Sequence, residues 1–545
     1  MNDPTPLFPR QLLDFFKRNR TDEPVEKALP LLEKLYANLI GGHSSLPVDP
    51  SAEGISVLHD ASLLGNETQD RPLVLTAEED LYFRRYFQYE DSLARRLMKL
   101  SREPESENAQ VHQHLEKWLS QAPDQLAAAK LALRNKLAVI TGGPGTGKTY
   151  LLVAILTALL KQDPNISIAL AAPTGKAAQR MTESIQANLG HFGLSEEEKE
   201  NFPQLASTIH RLLRPLPPSI HFRRNASNPI NADFVIIDEA SMVDLPLMSK
   251  LIEAIKPSSR LLLIGDVDQL APVEAGAPLA SIVRHFDKPD QPDLVAKLST
   301  NRRFGSDSAI HSFCQAIAKG NEEFAKELIG QGAKADFEHS EKGLSEDADE
   351  IIRKGYAPLA EAKTPEDAHK AFLGFQILCP THEGETGVNP TNERVQKILG
   401  IKKREKDQSG RYAGMPIIIE KNDYGVELYN GDVGIFLPEQ ENPEQLTAWF
   451  MKSNGTFRSV SPARLPPHSA AYAMTVHRSQ GSEYEEVMVL LPSKHSEILT
   501  RHLLYVACSR AKKKVRLFGP AEIIEETVKQ ETLPSFGMEH RLQNA

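Results

Sequence analysis

The chain has 545 residues, 25% charged and 40% hydrophobic, with a formal net charge of −10. That length suits about three or four domains, and the acidic total excludes a protein coated in polyanion-binding surface while allowing a local basic groove. No run approaches the roughly 18 apolar residues that span a bilayer, no secretory pattern opens the sequence, and Cys314, Cys379 and Cys508 lie far apart. A cytoplasmic protein with reduced thiols and no membrane association is expected.

Near the start, "PLLEKLYANLI" and "EEDLYFRRYFQYEDSLARRLMKLS" read as helices on either side of turn-rich "GGHSSLPVDPSAEG", and polar "SREPESENAQ" (101–110) reads as a linker. A helical N-terminal domain over 1–107 follows from this. Within it Leu81, Phe83, Tyr86 and Phe87 stand among arginines and acids, a mixture enriched at protein interfaces. From 111 onward short aliphatic runs alternate with helices. "KLAVIT" (136–141), "ISIALAAP" (166–173), "DFVIID" (233–238) and "RLLLIG" (260–265) read as buried parallel strands ending in chemically loaded residues. This predicts a doubly wound α/β domain over 108–290 with its site at the strands' carboxyl ends. "FQILCP" (375–380), "EVMVLLP" (486–492) and "KVRLFG" (514–519) predict a second α/β domain over 291–545. Inside it, short strands and Asn-Gly turns over 412–466 predict a small β-barrel insertion.

The richest chemistry lies in "VITGGPGTGKTY". Gly142, Gly143, Pro144, Gly145, Thr146, Gly147, Lys148 and Thr149 match the loop whose backbone N–H groups cradle nucleotide phosphates. Lys148 suits the β/γ-phosphates and Thr149 suits Mg²⁺. In "DFVIIDEASMVD" an apolar strand delivers Asp238, suited to the Mg²⁺ shell, and Glu239, suited to accepting a proton from the water that attacks the γ-phosphate. Gln269, after the strand ending in "GDVDQ", fits either a contact to the γ-phosphate or its water, or a polar loop cap. Gln125 fits an adenine edge or an exposed helical position. Phosphoryl transfer develops charge that arginines from across a cleft stabilise; Arg303 in "NRRF" and Arg510 in "ACSRAKKK" are the candidates, each otherwise a surface arginine.

"GGPGTGKT", "APTGKAAQRM", "STIHRLL", "DEASMVDLPLM", "GDVDQLAPVEAG", "YNGDVGI", "AYAMTVHRSQGSEYEEV" and "LLYVACSRA" occur in the order of a superfamily 1 helicase. Their wording resembles the RecD-like family, the alpha subunits of RecBCD-type helicase–nucleases, and the likeness runs through most of the chain. The resemblance implies an α/β fold of two RecA-like P-loop motor domains, with a helical N-terminal domain that meets a partner chain and a small SH3-like β-barrel in the second motor domain. It implies ATP with Mg²⁺ in the cleft, single-stranded DNA across the top, 5′-to-3′ travel, and RecB-like and RecC-like subunits in a heterotrimer. It assigns Lys148, Thr149, Asp238, Glu239, Gln269, Arg303 and Arg510 to ATP chemistry, and Gln480 with Glu483 to the nucleotide or the coupling path. Thr174, Thr208, His210, Thr475 and His477 fall in segments that contact the DNA backbone; as bare residues they read equally as helix-capping threonines and core-edge histidines. Departures from the family wording are Tyr150 after the loop, Arg478, and "NRRF", which leaves Arg302 and Arg303 as alternatives for the cleft. Competing expectations are a free-standing RecD-like helicase, an RNA translocase and a non-motor nucleotide-binding scaffold. No carboxylate and lysine cluster outside the ATP site suggests a nuclease, so that activity is expected only of the complex.

Overall fold

The computed structural model describes residues 11–12, 25–102, 109–195, 198–199, 202–203, 205–272, 274–305, 307–331, 334–401, 407, 409–423, 425–439, 445–452, 455–531 and 537–545. Most of the expected linker, 103–108, lies outside them. Among the described residues no helix is long and apolar enough to cross a membrane.

The N-terminal region is mixed α/β, which corrects the expectation of a helical domain. Helices Leu29–Ile40 and Glu53–Asp60 pack on four short strands, β1 Leu46–Pro47, β2 Leu64–Gly65, β3 Leu73–Leu75 and β4 Asp80–Phe83, in the order β1-β4-β3-β2. Leu32, Leu35, Leu58, Leu73 and Leu81 form its apolar core. The helix expected from residue 78 begins only at Arg84, because antiparallel pairing of Leu81 with Leu75 and of Phe83 with Leu73 claims the preceding residues. Leu81 and Phe87 are buried, so these two of the four expected interface anchors serve the interior.

Helix Arg84–Ser101 also departs from the expected division at residue 107. It places Leu93, Ala94, Leu97 and Leu100 in one cluster with Val235, Ile237 and Leu251 of the following α/β domain. That domain is built on β5 Leu137–Gly142, β6 Ile168–Ala172, β7 Ser207–Thr208, β8 Phe234–Ile237, β9 Arg260–Gly265 and β10 Val295–Leu298. Their order is β10-β5-β9-β8-β6-β7 and all pairs are parallel. Strand β10 continues this sheet past the boundary expected at 290. Alternating side chains feed two cores: Val139, Val235 and Leu263 face the cluster containing helix Arg84–Ser101, while Ile140, Ile236 and Ile264 face helix Lys148–Gln162. That second helix is buried from Leu151 to Leu160, which explains a run apolar on every side.

The second domain opens with β11 Phe337–Ser340 and β12 Phe375–Cys379. The insertion supplies β13 Pro416–Ile419, β14 Val433–Pro438, β15 Leu446–Met451, β16 Phe457–Val460 and β17 His468–Ala470, before β18 Ala473–Thr475, β19 Tyr484–Leu490 and β20 Ala511–Phe518 return to the main sheet. The main sheet, β11-β20-β19-β12-β18, is parallel, and the insertion sheet, β16-β15-β14-β13-β17, is antiparallel. The insertion extends to Ala470, beyond the expected limit of 466, because β17 pairs with β13. Its own core contains Ile417, Ile419, Phe436 and Phe450.

Helix Met538–Asn544 then returns to the first domain, where Met538 and Leu542 join the cluster of Leu93 and Leu97. Arg541 Nε donates to Glu90 Oε2 at 3.1 Å, and Glu90 also accepts from Ser44 Oγ at 2.5 Å and Tyr82 Oη at 3.1 Å. Burial raises the Glu90 carboxyl above its ordinary value, and Arg541 offsets part of that shift. Replacing Arg541 by Met leaves a fully buried carboxylate without its cation, a change that destabilises by about 3–5 kcal/mol. Urea unfolding should show a lower midpoint for Arg541→Met, with most of the loss recovered in the Glu90→Gln/Arg541→Met double variant.

Candidate functional site

Strand β5 ends at Gly142 and the helix that follows starts at Lys148, so the glycine-rich loop joins a strand to a helix N-terminus. Gly145 and Gly147 have φ of +81° and +82°, a region that L side chains rarely enter. Neighbours approach the loop closely at each of its glycines. A Cβ would lie 2.9 Å from Leu298 Cβ at Gly142, 2.8 Å from Tyr505 Oη at Gly143, 2.6 Å from Arg303 Cβ at Gly145 and 2.4 Å from Gln125 Nε2 at Gly147. Polar contacts fix the same walls: Gln125 Nε2 donates to the Thr146 carbonyl at 2.9 Å, Asn301 Nδ2 to Pro144 at 3.1 Å, and the Arg302 N–H to Gly145 at 2.7 Å. Lys148 Nζ donates to the carbonyls of Gly142 and Gly143 at 2.5 and 3.0 Å, and Thr146 Oγ1 donates to Gly143 at 2.8 Å. Backbone N–H groups at a helix start, joined to a lysine on the same loop, form a ready anion site.

The two acids follow β8. Asp238 is half-buried, and loss of water around it, reinforced by Glu239, pushes its carboxyl up to about 7, with the Glu239 N–H and Lys148 acting in the opposite sense. Asp238 Oδ1 accepts the Glu239 N–H at 2.9 Å, and Glu239 itself sits at φ +51°, a strained position for a residue with a side chain. After β9, Gln269 Nε2 donates to Asp266 Oδ2 at 3.2 Å. The same oxygen accepts from Tyr505 Oη at 3.1 Å, which ties the second domain to the first beside the loop. Glu239 Oε2, Gln269 Oε1 and Arg303 Nη1 are buried with no hydrogen-bond partner among the described residues.

The two adjacent arginines both border the loop but differ in their side-chain partners. Arg303 Nη2 pairs with Glu483 Oε1 of the second domain, whereas Arg302 Nη2 turns to Asp124 Oδ1 at 3.4 Å. Arg510 is 3% exposed, so it is no surface arginine. Its guanidinium donates to the carbonyls of Val506 and Ser482 at 3.2 and 3.3 Å and to Ser509 Oγ at 3.3 Å, bonds within its own domain. Burial disfavours ionised Glu483, yet Arg303, Arg180 and Arg510 outweigh it and hold the carboxyl near about 2. Gln480 is half-buried at the start of the same segment, its N–H bonded to the His477 carbonyl at 3.2 Å. Next to it, a Cβ at Gly481 would lie 3.8 Å from Ala177 of the first domain.

Thr174, Thr208 and Thr475 follow or end β6, β7 and β18, all at carboxyl ends of parallel strands. Their hydroxyls accept backbone N–H bonds from Ala177, Arg211 and Arg478 at 3.2, 3.2 and 3.3 Å, so each shapes the local chain as a cap. Burial lowers the pKa of His210 and of His477, favouring neutral imidazoles. Residues not singled out from the sequence join this face. Lys176 and Arg180 lie one turn apart on helix Gly175–Asn188, where burial, then Arg180, pulls the Lys176 pKa down to about 7. Tyr429, in the insertion's Asn-Gly turn, lies against Gly175 and under the Arg211 guanidinium, 4.9 Å from its ring centre. The (i, i+4) basic pair after a capping threonine was a readable signal; the Tyr429 contact was not, since it joins residues 218 apart.

Residues 125–275 match the AAA domain family, and residues 470–518 match the UvrD-like helicase C-terminal domain. The chain is 39% identical over 435 residues to the RecBCD enzyme subunit RecD of Mycolicibacterium smegmatis, an alignment covering 77% of this chain and 75% of that one. It is 36% identical over 521 residues to the RecBCD enzyme subunit RecD of Mycobacterium tuberculosis, with 93% and 87% covered. Among solved structures, Bacteroides Pif1 bound to ssDNA aligns with 75% of this chain and 94% of its own at 18% identity and a TM-score of 0.43. Identity at this level, across three quarters or more of both RecD relatives, shows that the chain belongs to the family of RecD subunits of the RecBCD enzyme.

Proposed function

We propose that this chain is an ATP-dependent DNA helicase motor, working in the cytoplasm as one subunit of a RecBCD-type helicase–nuclease that processes double-strand breaks, with RecB-like and RecC-like partners and 5′-to-3′ travel on single-stranded DNA. The observation that carries the motor reading is the set of three buried, unpartnered polar atoms beside the phosphate loop: Glu239 Oε2, Gln269 Oε1 and Arg303 Nη1. Burying such atoms without partners is unfavourable, and an acceptor, a second acceptor and a cationic donor suit a water molecule and a phosphoryl group. Names of the relatives agree with this, since one 29% identical over 498 residues is the ATP-dependent RecD2 DNA helicase of Deinococcus radiodurans.

In this reading the loop from Gly142 to Gly147 wraps the phosphates, Lys148 leaves its carbonyl partners for the β/γ-phosphates, and Gln125 presents its amide to the adenine edge. Glu239 takes the proton of the attacking water, Gln269 orients that water, and Arg303 and Arg510 stabilise charge on the transferred group. Thr149 and Asp238 would hold Mg²⁺: a hydroxyl and one carboxylate are hard oxygen donors of the kind that bind this ion together with substrate phosphates. When bound, Mg²⁺ would neutralise phosphate charge. Thr174, Thr208, His210, Thr475 and His477 take the DNA backbone across the strand ends, and Gln480 with Glu483 links that face to the nucleotide. The neutral histidines and capping threonines suit backbone contacts that add no net charge. The small α/β unit before helix Arg84–Ser101 forms the partner-docking region, the first motor runs from that helix through β10 at Leu298, the second follows, and the insertion curls into an SH3-like barrel around its own core.

Two variants separate binding from chemistry. Lys148→Ala should weaken nucleotide binding, whereas Glu239→Gln should bind ATP as the wild type does and lose DNA-stimulated hydrolysis; equal steady-state ATPase rates for Glu239→Gln and wild type would sink the assignment of the base. Arg510→Lys keeps the charge but loses the planar fork, so kcat should fall by on the order of 10³ with the circular dichroism spectrum unchanged. A fall of less than about threefold would confine Arg510 to holding the 482–484 segment. Co-purification from the native cell tests the assembly, and recovery of the chain without RecB-like and RecC-like partners would favour a free-standing helicase.

A further inference from the structure

Glu483 is the meeting point of three cations from three parts of the chain. Its Oε1 takes Arg303, which follows the first sheet, while its Oε2 faces Arg180 Nη2 of helix Gly175–Asn188 at 3.9 Å and Lys512 Nζ of β20 at 3.8 Å. The carboxylate is mostly withdrawn from water, with its side chain 23% exposed. Arg303 in turn has one nitrogen committed to Glu483 and the other, Nη1, buried without a partner. Nη1 is free to meet a phosphoryl group, but presenting both fork nitrogens to it takes Nη2 off Glu483, and a carboxylate stripped of its cation resists that separation.

We propose that Arg180 is a positioning residue for Arg303: by remaining on the second oxygen of Glu483, it compensates that carboxylate when Arg303 leaves for the γ-phosphate. The proposal rests on the reading of Arg303 as the cleft arginine. The geometry has a second consequence. Arg180 lies on the helix whose first turn is capped by Thr174 and touched by the 480–483 segment, so the strength of the Arg180–Glu483 pair changes with the position of Arg303. Nucleotide state thereby reaches the helix that begins at the DNA-facing threonine, through one shared counter-ion.

The test is steady-state ATP hydrolysis with saturating oligo-dT, recorded for wild type, Arg180→Met, Arg180→Lys and the Arg180→Met/Glu483→Gln double variant. With Arg180 removed, only the more exposed Lys512 remains on Oε2 and Arg303 stays held by an undercompensated Glu483, so kcat should fall at least tenfold while KM for ATP stays within about twofold, and a further Lys512→Met change should deepen the fall. Arg180→Lys, which keeps the charge, should stay within about threefold of wild type. Neutralising Glu483 in the Met background should release Arg303 and raise kcat above that of Arg180→Met alone, which loss of packing would not do. Unchanged kcat in Arg180→Met, or a fall that neither Lys nor the added Gln relieves, would overturn the proposal. Wild type without DNA-stimulated hydrolysis would instead overturn the motor reading on which it rests.

Discussion

Every glycine between Gly142 and Gly147 is closely approached by another group, Leu298 and Arg303 with main-chain-proximal atoms at Gly142 and Gly145, Tyr505 and Gln125 with side-chain tips at Gly143 and Gly147, and these groups come from different parts of the chain. Gln125 comes from before the first long strand, Leu298 from the last strand of that sheet, Arg303 from the junction and Tyr505 from the second domain. The loop therefore acts as a gauge for the assembly of the cleft. A bare backbone lets these four groups approach to the same few ångströms, and the close approach of Tyr505 also brings its hydroxyl to Asp266. Glycine here serves two physical ends together: left-handed φ at Gly145 and Gly147, and removal of bulk at all four positions.

An acidic chain has concentrated its cations where they act on one another. Lys176, Arg180, Arg303, Arg510 and Lys512 gather around Glu483 and the first turn of helix Gly175–Asn188. Mutual repulsion is evident in Lys176, whose charge is disfavoured first by burial and then by Arg180, with Asp432 of the insertion acting in its favour. The insertion thus contributes a carboxylate as well as Tyr429 to the face made by the first domain. Net charge would not reveal such a site, because at an ionic screening length of about 8 Å local arrangement dominates over the total.

Buried parallel strands were the most legible features of the sequence, because a strand covered on both faces must be continuously apolar. "RLLLIG" coincides with β9 from Arg260 to Gly265. Short edge elements were not legible. β7 has two residues, β17 has three, and β4 was hidden inside a helical pattern whose helix begins six residues later, at Arg84. Their existence depends on partners distant in sequence, which no local periodicity encodes. The phosphate loop and the acid pair were visible because spacing along the chain is itself their chemistry. The different partners of Arg302 and Arg303, the inward turn of Arg510 and the contact of Tyr505 with Asp266 needed the second domain in place.

Helix Met538–Asn544 gives the fold an order of completion. Glu90 emerges early in synthesis with Tyr82 and Ser44 at hand, but Arg541 follows 451 residues later. Until then the cluster of Leu93 and Leu97 also lacks Met538 and Leu542. The first α/β domain can form its sheet from strands that end at Leu298, yet helix Arg84–Ser101 cannot close over a neutralised carboxylate until Arg541 has been added. A product interrupted before residue 538 would leave Glu90 without its arginine and Leu93 and Leu97 without Met538 and Leu542, so that the incomplete chain carries a visible mark of its incompleteness on the part that was finished first.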